Sequence, residues 1–288
     1  MRKRIPLMAT AAWLVYALPA LAERDPQSGA PLPPHRETSL SPISDHFYAR
    51  AAYYSPQMRT NLRVDPSNAA PGQIGTALNA EHDLGLPEKL HQGRVEFMFR
   101  LRERSKVRVD YFEADRSGSQ VLANDIVFNN ATFLAGEVAN TSLDWKQFSI
   151  TYTYSFLRNE RFELGTGLAV YFLQLNAVMT QQPPFAIGLR QEVSAADPFP
   201  ALPLDFVWRI STRWSATARG AYLKATLNGF HGWYADLQED VQYRWNPNFV
   251  VGLGYSSIRT SLNREGGSYP GSFQMSASGP ELFIRFSF

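Results

Sequence analysis

Residues able to do chemistry are few and scattered in this chain of 288 residues. It has five histidines, His35, His46, His82, His91 and His231, and no cysteine. Nucleophilic catalysis needs a hydroxyl or thiol with a base in reach. His82 followed by Asp83 offers an oriented base, with Ser257 or Ser261 as the nucleophile. A surface histidine is the commoner explanation of such a pair, so no catalytic residue is expected and the chain is read as not an enzyme. No His-x-His or cysteine cluster occurs, so neither a metal nor a cofactor is expected.

Charged residues at alternate positions are the more prominent set. They are Arg94, Glu96, Arg100, Arg102, Arg108, Asp110, Glu163, Asp205, Arg209, Arg219, Asp236, Asp240, Arg244, Glu281 and Arg285. Each sits in a run where polar residues alternate with apolar, often aromatic ones. In RVEFMFRLR, Val95, Phe97, Phe99 and Leu101 alternate with Arg94, Glu96, Met98, Arg100 and Arg102. In QFSITYTYSF, Phe148, Ile150, Tyr152, Tyr154 and Phe156 alternate with serines and threonines. A period of two gives a strand one apolar and one polar face.

A soluble sandwich alternates too. Three features favour a membrane barrel: strongly aromatic apolar faces, strands well beyond the usual length of about 5–6 residues, and connections that alternate between short and long. Short turns fall near 102–106, 158–161, 212–214 and 246–248; long loops fall near 66–90, 123–143, 182–200 and 263–272. That asymmetry belongs to transmembrane barrels. Lipid offers backbone groups no partner, so a spanning sheet must close on itself. The expected fold is therefore an all-β, antiparallel, up-and-down transmembrane barrel. Ten strands are read at about 47–65, 91–103, 105–122, 144–157, 162–181, 201–212, 214–230, 232–246, 249–262 and 273–288. Twelve result if 47–65 splits at Pro56 and IGTALNAEHDLGL (74–86) is a strand; eight result if the first segments are a plug. The pattern changes parity near Tyr171–Leu173, which predicts a bulge there. Glu239 falls on the lipid face, where a charge is costly, which predicts a local shift of register.

The N-terminus, MRKRIPLMATAAWLVYALPALA, has three basic residues, a short apolar stretch and Ala20-Leu21-Ala22, the pattern of a cleaved secretory leader over residues 1–22. Without it, the 28 basic residues fall to 25 against 26 acidic ones, so nucleic acid is not an expected partner. Residues 23–45 carry five prolines and read as a periplasmic tail; residues 46–288 form the barrel.

The chain ends in GPELFIRFSF, with Leu282, Ile284, Phe286 and Phe288 at alternate positions and only Phe283 breaking the polar set. This ending resembles the C-terminal strand of bacterial outer-membrane proteins, which implies that Phe286 and Phe288 belong to the signal read by the barrel-assembly machinery. HDLGL (82–86), ADRSGS (114–119), YTYSFLRNERFELGTGL (152–168), VGLGYSSIR (251–259) and SGPELFIRFSF (278–288) further resemble uncharacterised small barrels of proteobacteria, broadly similar to OmpW- and OmpA-type barrels. The resemblance implies fold and a Gram-negative outer-membrane location, with lipid and lipopolysaccharide as surroundings, and no particular chemistry. Some small outer-membrane barrels are lipid-modifying enzymes. GFHGW (229–233) lacks the serine two residues after histidine that the deacylase pattern shows, and no Asn-His-Ser run occurs as in the phospholipase.

The expected role is a monomeric barrel, either structural or a narrow passive route for ions and small solutes, with Arg100, Arg102 and Arg108 as an anion-favouring cluster. The alternative is a ligand or adhesion barrel acting through outer loops such as QQPPFAIGLRQEVSAADPFP (181–200) and NREGGSYPGSF (263–273).

Overall fold

The computed structural model describes residues 41–66, 74–181, 189–227, 230–264 and 270–288. The expected leader and residues 23–40 of the expected tail lie outside them. In chain order the elements are β1 (Phe47–Tyr54), β2 (Gln57–Val64), β3 (Leu78–Asn79), α1 (Ala80–Asp83), β4 (Gln92–Arg102), β5 (Ser105–Val121), β6 (Ile126–Phe128) and β7 (Ala131–Phe133). The long strands β8 (Val138–Arg158), β9 (Phe162–Gln181), β10 (Leu189–Arg209), β11 (Trp214–Leu227), β12 (Phe230–Arg244), β13 (Phe249–Arg264) and β14 (Gly271–Ser287) follow.

These strands close an antiparallel barrel of ten staves. The first stave is broken: β1 and β2 both pair with β14, on either side of Ser55 and Pro56. β1 then pairs with β4, and the ladder runs through β5, β8 and on to β14. The break at Pro56 thus leaves the count at ten. Closure explains the patterned C-terminus: the Phe288 carbonyl accepts from His46 and Phe47 amides, and the Phe288 amide donates to the Phe47 carbonyl.

The wall has two apolar zones on opposite faces. Around its lower part the outward side chains are apolar and exposed, including Phe97, Phe99, Phe148, Ile150, Tyr152, Tyr154, Phe172, Leu204, Trp208, Leu253, Ile284 and Phe286. Above that girdle the outward residues turn polar: Glu113 and Asp115 on β5, Lys146 and Asp144 on β8, Gln174 and Asn176 on β9. At the same height the inward residues turn apolar: Phe112, Leu143, Trp145, Tyr171, Leu173 and Met179 are buried. This exchange of faces corrects the bulge expected near Tyr171–Leu173. β9 pairs without interruption there, and the parity change in sequence is the interior becoming apolar above the girdle. The register shifts lie elsewhere, between Arg100 and Arg102 and between Ser155 and Leu157, beside the short turns.

Glu239 needs no shift of register either. β12 pairs evenly through it, and it points outward between Leu237 and Val241. Residues 189–200, expected in a loop, continue β10 and pair with β9. Segment 74–86 supplies the short β3 and α1 rather than a full stave. It fills the wall between β2 and β5 above the start of β4: Arg116 on β5 bonds Glu81 and Thr60, and Glu81 also accepts from the Thr60 amide. The fit is tight, because Gly85 (φ +67°) lies so close that a Cβ on Gly118 would stand 2.3 Å from its carbonyl oxygen.

Candidate functional site

The lower interior is ionic. Eight cationic side chains, Arg50, Arg94, Arg100, Lys106, Arg108, Arg219, Arg244 and Arg285, are paired with eight carboxylates. Arg94 grips Asp110 through two 2.8 Å bonds and reaches Asp236 at 3.3 Å. Arg50 meets Glu281 at 3.2 Å and Asp240 at 3.7 Å. Arg219 spans Glu96 at 2.6 Å and Asp240 at 3.2 Å. Arg100 forks onto Glu163 at 2.9 and 3.0 Å. Arg108 and Lys106 share Asp205. At the lower end Asp45 joins Arg244 at 2.7 Å and Arg285 at 3.2 Å.

Fourteen of the fifteen charges expected inside the barrel face inward. Arg102 does not: the register shift after Arg100 swings it out, and it stands exposed beside the turn. Arg209 is half-buried, with Nη1 lacking a hydrogen-bond partner among the described residues. The sequence reading missed three members. Arg50 and Lys106 lie on strands whose alternation was already legible, so parity alone places them inside. Asp45 was assigned to the tail, yet it is buried in the network. Phe283, the residue that broke the final alternation, serves this network too. Its ring lies against Gly252 and under the Arg50 guanidinium, 3.9 Å from its centre.

Packing leaves little room here. The cavity bordered by Arg50, Arg108, Arg219, Asp205 and Asp240 measures about 30 Å³, enough for one or two waters.

The upper interior is an apolar chamber. Leu62, Leu143, Trp145, Leu173, Ala177, Val193, Phe199 and Phe273 line a cavity of about 100 Å³, and Arg63 and Arg264 stand at its rim. Trp145 stacks on Phe273, with centroids 5.8 Å apart. Its indole N–H, inside this apolar wall, has no partner among the described residues. Tyr54, Phe112, Tyr171 and Tyr234 form the floor, between chamber and ion pairs; all are buried. The β6–β7 hairpin crosses the top. Asn129 bonds the Val64 carbonyl on β2 and Gln191 on β10, and Gln181 on β9 bonds both amide and carbonyl of Leu134.

The candidate catalytic groups are not assembled. His82 pairs with Asp83 at 2.8 Å, exposed on α1, whereas the Ser257 hydroxyl meets that of Ser278 at 2.8 Å on the outer face of the wall. His231 meets Thr226 at 3.1 Å.

No protein-family model matches the chain, and no curated protein does. Solved structures do. The outer-membrane protease OmpT from Escherichia coli superposes with a TM-score of 0.53 at 11% identity, over 86% of this chain and 98% of that one. The Pseudomonas putida toluene transporter TodX aligns at a TM-score of 0.33 and 8% identity, over 86% and 91% of the two chains. Ail, the attachment invasion locus protein of Yersinia pestis, aligns at 0.30 and 10%, over 82% and 99%. The fold is therefore that of an outer-membrane β-barrel. A specific likeness to OmpW- or OmpA-type barrels is not among these similarities. The expectation that the chain is not an enzyme is corrected by the first of them, since a barrel of this architecture is a protease.

Proposed function

We propose that the protein is an integral barrel of a Gram-negative outer membrane that binds a small, mainly apolar molecule in its upper chamber, above an aromatic floor and a closed ionic interior. The supporting observation is the chamber itself: about 100 Å³ of space walled by aromatic and aliphatic side chains, with a buried donor, Trp145 Nε1, that has no partner among the described residues. Ligand sites have this make-up, an apolar lining with few polar groups that fix orientation. The ligand class that fits is a neutral amphiphile with an apolar body and one hydrogen-bond acceptor.

A passive ion route is the weaker reading. Of the expected anion-favouring cluster, Arg102 is turned out of the interior and Arg100 and Arg108 are each bound to a carboxylate, and the paired charges balance eight to eight. Freeing one of these arginines for a passing anion would leave its buried carboxylate unpaired, which is costly. Export by the leader, assembly through Phe286 and Phe288, and a monomeric state in lipid and lipopolysaccharide belong to the same proposal.

The test uses the refolded barrel and dibromo-octanol, an apolar alcohol that quenches tryptophan on contact. Saturable quenching that disappears in Trp145→Phe is expected. Quenching that never saturates, equal in both proteins, overturns the proposal.

A further inference from the structure

The β10–β11 seam is hydrogen-bonded over only part of its length. Its register runs from Arg209↔Ser215 to Leu202↔Tyr222 and ends there, although β10 continues to Leu189 and β11 to Leu227. By extension Pro200 would face Lys224 and Pro198 would face Thr226, but those pairs do not form. Elsewhere the ladders of the upper barrel continue: β9–β10 pairs up to Leu189↔Gln181, β11–β12 up to Leu227↔Phe230 and β12–β13 up to Phe230↔Arg264. Where β4 is missing, beside β2, residues 78–90 fill the wall.

The prolines account for the opening. Backbone N–H groups along a strand point alternately to its two edges. The β9–β10 ladder skips Leu202 and Pro203, and Thr166 of β9 donates to the Pro203 carbonyl, so Pro203 presents its missing donor to β9. Pro198 and Pro200 have the opposite parity and lack their donors on the β11 edge. A proline confined to an edge in this way stops a sheet from continuing.

Position gives the opening its meaning. Leu202 and Tyr222, the last paired residues, point outward at 66% and 54% exposure and mark the top of the apolar girdle. Just above them Pro200 and Lys224 are exposed. On the inner side, Val193 and Phe199 of β10 line the chamber, and Leu223 of β11 packs against the same core. The top is crossed by the tied-down β6–β7 hairpin and the bottom by the ion pairs. Beside β5 the wall also lacks a ladder, but there residues 78–90 fill it through Arg116, Glu81 and Thr60; above Leu202 and Tyr222 no ladder stands between chamber and lipid.

We infer that the β10–β11 seam is a lateral portal through which a neutral, bilayer-soluble amphiphile passes between the outer leaflet and the chamber. This rests on the chamber binding such a molecule. Leaving lipid for an apolar chamber through a gap at headgroup height keeps the apolar body out of water throughout, whereas leaving over the rim would expose it.

The chain has no cysteine, so Pro200→Cys with Lys224→Cys makes a unique cross-link across the seam. Barrels in nanodiscs are mixed with vesicles carrying dibromo-octanol, and the rate and final extent of Trp145 quenching are read. The expected result is a rate at least tenfold lower in the cross-linked protein than in the same protein under reductant, with final quenching unchanged. A second variant, Pro198→Thr with Pro200→Thr, returns both amide donors and is expected to slow exchange without any cross-link. Unchanged rates in both variants, with wild-type binding intact, overturn the portal alone. Absence of Trp145 quenching in the wild type removes the ligand reading and the portal with it.

Discussion

Asp45 lies between two arginines from different staves, 2.7 Å from Arg244 of β12 and 3.2 Å from Arg285 of β14. It arrives from the segment before β1 and closes the lower end of the ionic interior. Asp45→Ala leaves two buried guanidinium groups without their counter-ion. Removing one partner of a buried pair costs about 3–5 kcal/mol. The midpoint of urea unfolding in detergent should fall accordingly. Planar-bilayer recordings should show anion-selective steps in the variant and none in the wild type. An unchanged midpoint would mean that water already screens this site.

Glu239 illustrates the opposite economy. It points to lipid between Leu237 and Val241, beside Ala218 of β11 and Tyr255 of β13. A charge there is unfavourable, less so for carboxylates than for bases. Glu239→Leu should therefore stabilise the barrel by about 1 kcal/mol, seen as a higher temperature for loss of the compact gel form. A destabilised variant would show that the carboxylate has a partner in the membrane.

Much of this was legible because a wall bathed in lipid writes its alternation plainly. Phe148 to Phe156 on β8, and Leu282 to Phe286 on β14 with Phe288 just beyond it, needed only a count by twos. The ionic interior was legible for the same reason, apart from Arg102, which a bulge at the turn turned outward. What misled the reading was the change of solvent along each strand. Above the girdle, Tyr171, Leu173 and Leu175 face inward while Gln174 and Asn176 face water, so a fixed rule of apolar-outward sees a bulge in an unbroken strand. Pro198 and Pro200 likewise read as loop, since sequence does not tell which edge a proline presents. The chamber was illegible altogether: its walls come from β2, β8, β9, β10, β13 and β14, brought together only by closure.

The packing of Gly118 against Gly85 makes a further prediction. A Cβ at 118 would stand 2.3 Å from the Gly85 carbonyl oxygen, on backbone that has no room to give. Gly118→Ala should displace residues 78–90 from the wall and weaken the Arg116–Glu81 pair. Limited proteolysis is the measurement, with new cleavage expected near 84–90 and the girdle staying intact. Resistance equal to wild type would show that α1 is held without this contact.

On the outer surface above the girdle, Lys146 Nζ lies 2.6 Å from Glu113 Oε1. Partial burial works to raise the Glu113 carboxyl, but the hydrogen bonds from Lys146 and Tyr111 hold it below the usual carboxylate range. The same bond, donated by Lys146 to Glu113, raises the Lys146 ammonium. A lowered carboxyl stabilises the fold above its ordinary value and loses that effect as pH falls through the folded value. The raised ammonium stabilises below its ordinary value and loses the effect as pH rises through the folded one. Wild type should therefore exceed Glu113→Gln in stability near neutrality, and the two should converge in acid. The gap will be small, because the pair is exposed and solvent screens it. Parallel curves down to low pH would mean that the pair contributes nothing.

Filling the chamber separates its role in binding from its role in folding. Ala177 of β9 is buried and lines the cavity of about 100 Å³. Ala177→Leu adds apolar atoms where there is space, so stability should hold or rise by about 1 kcal/mol, the usual gain from filling a void. The same atoms occupy the place of the ligand. Saturable quenching of Trp145 should be lost, although Trp145 itself is untouched and the barrel is at least as stable. An Ala177→Leu protein that binds as the wild type does would place the quencher outside the chamber. One that fails to fold would mean that the cavity walls are too rigid to accept the side chain, and Val193→Phe, entering from β10 on another part of the wall, repeats the test from that side.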